Sequence, residues 1–337
     1  MIPYRMNPLG VNYPPLTLTA LDAGSTVKLT AQGNLTITGM LYRTSVNPLW
    51  QPYTTGSTVT LSAVGDWVQF RGTSGELSSS TYGGNYAQFV TTGAIEASGN
   101  LRSLINYKPM YSWCFMALFK DNTALIEAAK LWIHGNVANG SLHQTFMSCS
   151  YLLTPPDLYA DEIGYNGCGA IFFNCFRLLY TPKLPAVIIG SSAYTYAFYN
   201  CNNMVNTLTI LPAVQLAESC YNNMFDYCYS METAPELPAL QLAPECYRGM
   251  FWTCRKIKTI KINATALGSL SCYGMLAGGM SSLESVEVNF TDWNTAQNAT
   301  GIWMQNVAAG GTFIKPAALP VVTGENGIPS TWNIVNK

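Results

Sequence analysis

Charge is scarce in this sequence. Charged side chains are 10 % of 337 residues, against roughly 25 % in a typical soluble protein. Lys and Arg number 17, Asp and Glu 18, and the net charge is −1. No basic stripe exists, so nucleic acid and anionic membrane are poor partners. Histidine is scarcer still, with only His134 and His143, so a His-dependent triad or a mixed Cys/His metal centre has little to draw on. No run of about 18 apolar residues is present, which excludes a membrane-spanning helix. The N-terminus lacks an apolar run of signal-peptide length and is interrupted by Pro14-Pro15, so export by the common route is not expected. GxSxG, HExxH, P-loop and GxGxxG contexts are all missing. An enzyme is therefore not expected, nor a cofactor or metal.

What is abundant is apolar and neutral-polar. Apolar residues reach 48 %, and 20 tyrosines join Asn, Ser, Thr and Gly in building the surface. Such a surface suits glycans, other proteins or an assembly.

The stretch CYNNMFDYC, Cys220 to Cys228, returns 26 residues later as CYRGMFWTC, Cys246 to Cys254. It belongs to a longer series. Seven segments align on Phe119, Phe146, Phe172, Phe198, Phe225, Phe251 and a degenerate Ala277, at steps of 26 or 27 residues. A constant period over seven copies signals a solenoid. Three residues after these anchors come Asn122, Cys149, Cys175, Cys201, Cys228, Cys254 and Met280. Offsets −5, −1, 0 and +3 predict one face of a short helical segment. Beyond +6 the pattern alternates, as in IKTIKIN and LESVEVN, which predicts a short strand. A Pro-containing return such as Ala234-Pro235-Glu236-Leu237-Pro238-Ala239 closes each repeat. One unit cannot bury its own apolar face, and stacking supplies the partner.

All ten cysteines lie between residues 114 and 272; nine occupy offset −5 or +3, and Cys168 sits at −4. Pairs eight apart do not have metal-ligand spacing. Cys is small and readily buried, so a packing column is expected.

The A/M-F-x-x-C-x-x-L core and the LPA return resemble the BspA-type leucine-rich repeats of gut anaerobes' surface proteins and of phages that infect such bacteria. The resemblance covers about residues 102 to 290. It implies adhesion or binding to proteins or surfaces and carries no catalytic signature.

Residues 1–98 contain no cysteine, and alternating β-branched segments such as PLTLTAL and STVKLTA are separated by turns every 8 to 12 residues. An Ig- or fibronectin-like β-sandwich is expected there, as glycan binder or as spacer. The expected fold is mainly β with short helices: this sandwich, a solenoid of about seven repeats over 99–290 entered through residues 95–112, and a C-terminal cap over 291–337. Trp293, Trp303 and Trp332 are expected to be buried in the cap.

Two surface columns follow. Lys130, Asp157, Lys183, Thr209, Glu236, Lys261 and Glu287 stand ten or eleven residues past the anchors; largely alternating signs predict mutual compensation rather than a charged groove. Tyr194, Tyr221, Tyr247 and Tyr273 stand four before the anchor, beside the inward stripe, near Tyr199, Asn222, Asn223, Tyr227, Arg248 and Trp252. Tyrosine offers rigid contact area with a polar tip, so these ten residues form the expected binding site; packing of each tyrosine of the column on the next repeat is the alternative. The expected function is non-enzymatic recognition, on a phage fibre or decoration that contacts a bacterial protein or glycan surface. A bacterial cell-surface adhesin and a purely structural virion protein are the alternatives. Virion proteins or further copies of the chain are the other expected partners, at a virion, extracellular or cell surface.

Overall fold

The computed structural model describes residues 14–73, 77–79, 83–205 and 208–337. The chain is mainly β. Alternation organises its first part. In β1 (Leu16–Ala20) and β2 (Ser25–Ala31) every second side chain is buried, as expected where one sheet face meets a core. With β3 (Met40–Thr44), β4 (Gln51–Pro52), β5 (Thr58–Leu61), β6 (Trp67–Gly72), β7 (Ala87–Thr92) and β8 (Ile95–Asn100) they form two sheets. Antiparallel neighbours run β4-β3-β6-β1-β8 in one and β5-β2-β7 in the other. Phe70 of β6 meets Phe89 of β7 across them, edge to face, 5.1 Å between centroids.

From β8 onward the pairing turns parallel. β9 (Leu125–His134) lies along β8, and β10 (Leu158–Tyr159) along β9. β11 (Glu162–Ile163) pairs with β12 (Ile188–Ile189). At the C-terminal end β13 (Thr259–Ile262), β14 (Ser285–Val288), β15 (Thr312–Lys315) and β16 (Asn333–Asn336) lie side by side. Between these, single bridges Ile210↔Glu236 and Gln241↔Ala266 keep the same parallel sense. After β9 the regular strands have only two or four residues each. The boundary expected between residues 98 and 99 falls inside β8, and one hydrophobic core extends across it.

The expected helical segment of each repeat is instead a ribbon of turns. Among the described residues only two 3-10 helices occur, Leu101–Ile105 and Thr295–Gln297. The segment around Phe225 shows the pattern. The amides of Cys220, Asn222, Met224, Asp226 and Cys228 each donate to the carbonyl three residues back. The intervening amides of Ser219, Tyr221, Asn223, Phe225 and Tyr227 donate to carbonyls of the next repeat, at Pro244, Cys246, Arg248, Met250 and Trp252. Every backbone donor of this stretch is thereby satisfied, as burial requires, half of them by the neighbouring repeat. Every fourth residue has positive φ: Ser219, Asn223 and Tyr227 here, and Asn166, Ala170 and Asn174 two repeats earlier.

This ribbon has a strict period of four, not 3.6. Offsets −4 and 0 are therefore in phase, as are −5, −1 and +3, and all five positions face inward. The anchor rings stack in one column. From Phe119 to Phe251 successive centroids are 5.3–5.8 Å apart with interplanar angles of 16° or less. Phe89 extends the column backward, 5.3 Å from Phe119.

The +3 row does more than fill space. The thiols of Cys149, Cys175, Cys201, Cys228 and Cys254 donate at 3.0–3.2 Å to the anchor carbonyl of the preceding repeat, that of Phe119, Phe146, Phe172, Phe198 and Phe225 respectively. In the first repeat Asn122 Nδ2 makes the equivalent bond to Phe89 O, 3.2 Å. All ten cysteines are free and buried. Burial pushes the thiols of Cys114, Cys220 and Cys272 up to about 12 and raises the remaining ones well above the ordinary thiol range. Thiolate chemistry at neutral pH is closed to them.

The seventh anchor is displaced by one residue. Phe251 N donates to Met275 O and Thr253 N to Ala277 O, where the previous repeat uses Met250 and Trp252. Leu276, not Ala277, thus takes the anchor place. Cys272 moves to −4, and Tyr273 leaves the inward rows. The ribbon also continues into the expected C-terminal cap. Leu270, Cys272, Gly274 and Leu276 donate to Gln297, Ala299, Gly301 and Trp303, so Met304 occupies an eighth anchor place. Trp293, Trp303 and Trp332 are buried there, each indole N–H on a backbone carbonyl at 2.7–2.8 Å.

On the exposed sheet face the charge column pairs within itself, Lys183 with Asp157 at 3.4 Å and Lys261 with Glu287 at 3.6 Å. Lys130 turns the other way, to Glu96 at 2.8 Å. Exposed pairs of this kind are screened by water and contribute local order rather than stability.

Candidate functional site

The phase of the ribbon sorts the expected binding residues into two groups. Tyr194, Tyr221 and Tyr247 are each 1 % exposed. Their rings stack in a second inward column, 5.8 and 6.1 Å apart. They cannot contact a partner, which corrects their assignment to the surface. The error is geometric. A helix rotates 100° per residue and puts −4 some 40° to the side of 0, whereas the four-residue ribbon puts it directly in line.

Offsets −3, −2, +1 and +2 lie on the other side of the ribbon, where Asp226 (+1), Thr253 (+2) and His143 (−3) are buried and most of the larger side chains reach the surface. Asn222 and Arg248 (−3), Asn223 (−2), Tyr199 (+1), Tyr227 (+2), Trp252 (+1) and the displaced Tyr273 are all partly exposed. They do not converge on one spot. Arg248 forks between Glu245, at 3.1 Å, and the ring of Tyr273, 5.4 Å to its centroid. Trp252 lies flat on the next repeat. A Cβ at Gly274, φ +62°, would stand 2.5 Å from its ring, so glycine at that position is what seats the indole.

Tyr199 and Tyr227 belong to a continuous outer aromatic row. Phe173 and Tyr199 stack at 4.6 Å and 7°. Tyr196, 39 % exposed, stands edge-on to Tyr199 at 5.5 Å. Tyr227 follows at 5.3 Å from Tyr199, then Tyr229 at 5.9 Å with the Arg255 guanidinium 4.9 Å above its ring. An amide pair runs alongside, Asn200 Nδ2 donating to Asn174 Oδ1 at 2.8 Å. Sequence reading missed Phe173, Tyr196, Tyr229 and Arg255. Their signal was offset alone, +1, −2 and +4, legible only once the period of four is known.

Beneath this row lies Asp226, 5 % exposed. Asn223 Nδ2 donates to Oδ2 at 3.1 Å and Thr253 Oγ1 to Oδ1 at 3.3 Å. Burial nevertheless pushes the carboxyl up to about 7 from an ordinary 3.8. The folded state therefore holds a proton that the unfolded chain has released at pH between those values. Stability contributed by this group is complete below about pH 4 and is lost as pH rises through about 7. Burial holds His143 and His134 below their usual range, so their contributions rise with pH over part of the same window. The Asp226 contribution is therefore read as a difference: across pH 5 to 8 the Tm of Asp226→Asn, which keeps the shape and removes the charge, is expected to gain on that of the unaltered chain as pH rises.

Among the described residues no three His, Cys, Asp or Glu side chains are grouped to hold a metal, and no helix is long and apolar enough to cross a membrane. Comparison with protein-family models, curated proteins and solved structures finds no match to this chain.

Proposed function

We propose that the chain is a non-enzymatic recognition protein. In this reading an Ig- or fibronectin-like β-sandwich leads into a BspA-type leucine-rich-repeat solenoid, closed by a C-terminal cap that includes the Met304 turn ribbon. The protein serves as a phage fibre or decoration component that contacts a bacterial protein or glycan surface. The outer aromatic row carries this reading. Tyrosines on a fixed, hydrogen-bonded ribbon offer apolar area and hydroxyls at little further cost in side-chain entropy. Arg255 above Tyr229 adds the cation that accompanies such aromatic contacts at interfaces. Because Phe173 and Tyr199 cover each other's faces, the row presents ring edges and hydroxyl tips, which fit a broad, hydroxyl-rich surface better than a single inserted ring.

The test is binding of the labelled protein to intact cells of gut anaerobes and to their immobilised surface polysaccharides. Saturable binding is expected, and Tyr196→Ser with Tyr229→Ser should weaken it about tenfold, roughly 1.4 kcal/mol, with Tm nearly unchanged. Equal binding by the double variant, or no saturable binding by the unaltered protein, overturns the proposal.

A further inference from the structure

The middle repeats carry no positive charge. Residues 184–247 contain no Lys, Arg or His, while Glu218, Asp226, Glu232, Glu236 and Glu245 give them five acids. Parallel pairing lapses in the same region. Among the described residues no regular strand forms between β12 and β13, and the repeats meet on this side through the single bridges Ile210↔Glu236 and Gln241↔Ala266. A groove of about 730 Å³ opens there, with Val214, Leu216, Pro238 and Leu240 in its walls. Val214 and Leu240 are more than half exposed. Glu218, two residues past Leu216, and Glu236, two before Pro238, are exposed, and neither is ion-paired among the described residues.

The opposite combination stands on β3 and β6, where alternation turns Arg43, Gln69 and Arg71 away from buried Phe70. The guanidinium carbons of Arg43 and Arg71 lie 4.8 and 4.7 Å from the centroid of the Trp50 ring. Arg43 Nε donates to Gln69 Oε1 at 2.8 Å, and Gln69 Nε2 to Thr17 Oγ1 at 3.0 Å. Those partners are neutral, so they fix the cation without cancelling its charge. Neither arginine is ion-paired among the described residues. The turn from β3 to β4 runs directly into Trp50, and its apolar tip is Val46 and Leu49, 84 % and 75 % exposed. Three bonds hold that turn: Thr44 N to Asn47 O at 2.9 Å, Asn47 N to Thr44 Oγ1 at 3.0 Å, and Ser45 Oγ to Asp66 Oδ1 at 2.9 Å.

We propose that this face of one copy docks on the groove of a second copy of the chain. Val46 and Leu49 then cover Val214 and Leu240, and Arg43 and Arg71 meet Glu218 and Glu236. Charge complementarity selects the occupant: the basic surface and the acidic groove each have exposed apolar side chains and unpaired charge, of opposite sign. Trp and Arg are also the residues that dominate protein interfaces. Strand addition does not contribute, because the sheet edge beside this face is the two-residue β4 with Pro52 in it. The two surfaces differ, so the contact is heterologous and runs head to tail from copy to copy. It uses no residue of the outer aromatic row, so either can fail without the other.

Sedimentation of the unaltered chain at about 50 μM, where a micromolar contact is filled, is expected to show species of twice the 36.7 kDa chain mass and above. At about 1 M salt, where the Debye length is about 3 Å, the average mass should fall toward that of one chain. Arg43→Glu with Arg71→Glu should be monomeric, and so should Glu218→Arg with Glu236→Arg. Each of these variants keeps one surface intact, so an equimolar mixture should form a heterodimer and nothing larger, which also shows that both are folded. The proposal is overturned by an unaltered chain that stays single at that concentration, or by a mass that salt does not move. It is overturned equally by a variant that assembles like the unaltered chain, or by a mixture that stays monomeric.

Discussion

Phe225→Ala is expected to cost about 3–5 kcal/mol, the range for emptying a fully buried aromatic site. The ring is fully buried, with Phe198 5.5 Å away on one side and Phe251 5.8 Å on the other, nearly parallel to both. The walls of the resulting cavity cannot collapse easily, since the backbone on either side is tied by amide bonds from Phe198 to Met224 and from Phe225 to Met250. In a stack where each repeat touches only its neighbours, weakening one interface also uncouples the two halves. Urea denaturation should therefore show a lower midpoint and a broadened or split transition. Phe225→Leu, which keeps most of the volume, should cost under about 1.5 kcal/mol. A loss below about 1 kcal/mol for the alanine variant would mean that the ring column does not hold the repeats together.

Replacing Tyr221 and Tyr247 together with Ser is expected to be worse, about 6–10 kcal/mol if the two large-to-small losses simply add. Because the rings are stacked at 6.1 Å, the sum will not be strictly additive. Conservative changes should behave very differently. The Tyr221 hydroxyl is buried and has no hydrogen-bond partner among the described residues, and such an orphan costs about 1–3 kcal/mol. Tyr221→Phe removes the orphan and keeps the ring, so it should leave stability unchanged or raise it. Guanidinium melts of both variants separate the cases. If the double serine variant stays as stable as the unaltered protein, the tyrosines are surface residues after all.

The parts legible in sequence are those governed by spacing. Steps of 26 or 27 residues from Phe119 to Phe251 located the anchor column, and the neutral, buried cysteines were expected from their offsets. The alternation in STVKLTA and IKTIKIN placed strands that form as β2 and β13. What sequence hid was the angular increment per residue. Five inward offsets fit a helix loosely and a period-four ribbon strictly, and the positive φ at Ser219, Asn223 and Tyr227 together with the amide bonds between repeats distinguishes them. That one ambiguity placed Tyr194, Tyr221 and Tyr247 on the surface and passed over Phe173, Tyr196 and Tyr229. The seventh and eighth repeats were hidden for another reason. Leu276 and Met304 lack the aromatic ring that marks the other anchors, and their places are fixed by backbone hydrogen bonds.

The central claim is that alternate amides of each turn ribbon bind the next repeat, which makes one stacked body that carries the outer tyrosines. Amide hydrogen exchange of the intact protein, read residue by residue, tests it most directly. The account predicts strong protection at Tyr221, Asn223, Phe225 and Tyr227, and equally at Tyr247, Gly249, Phe251 and Thr253, all outside regular helix or strand. Protection confined to the strands, with these eight amides exchanging as freely as a surface loop, would contradict it.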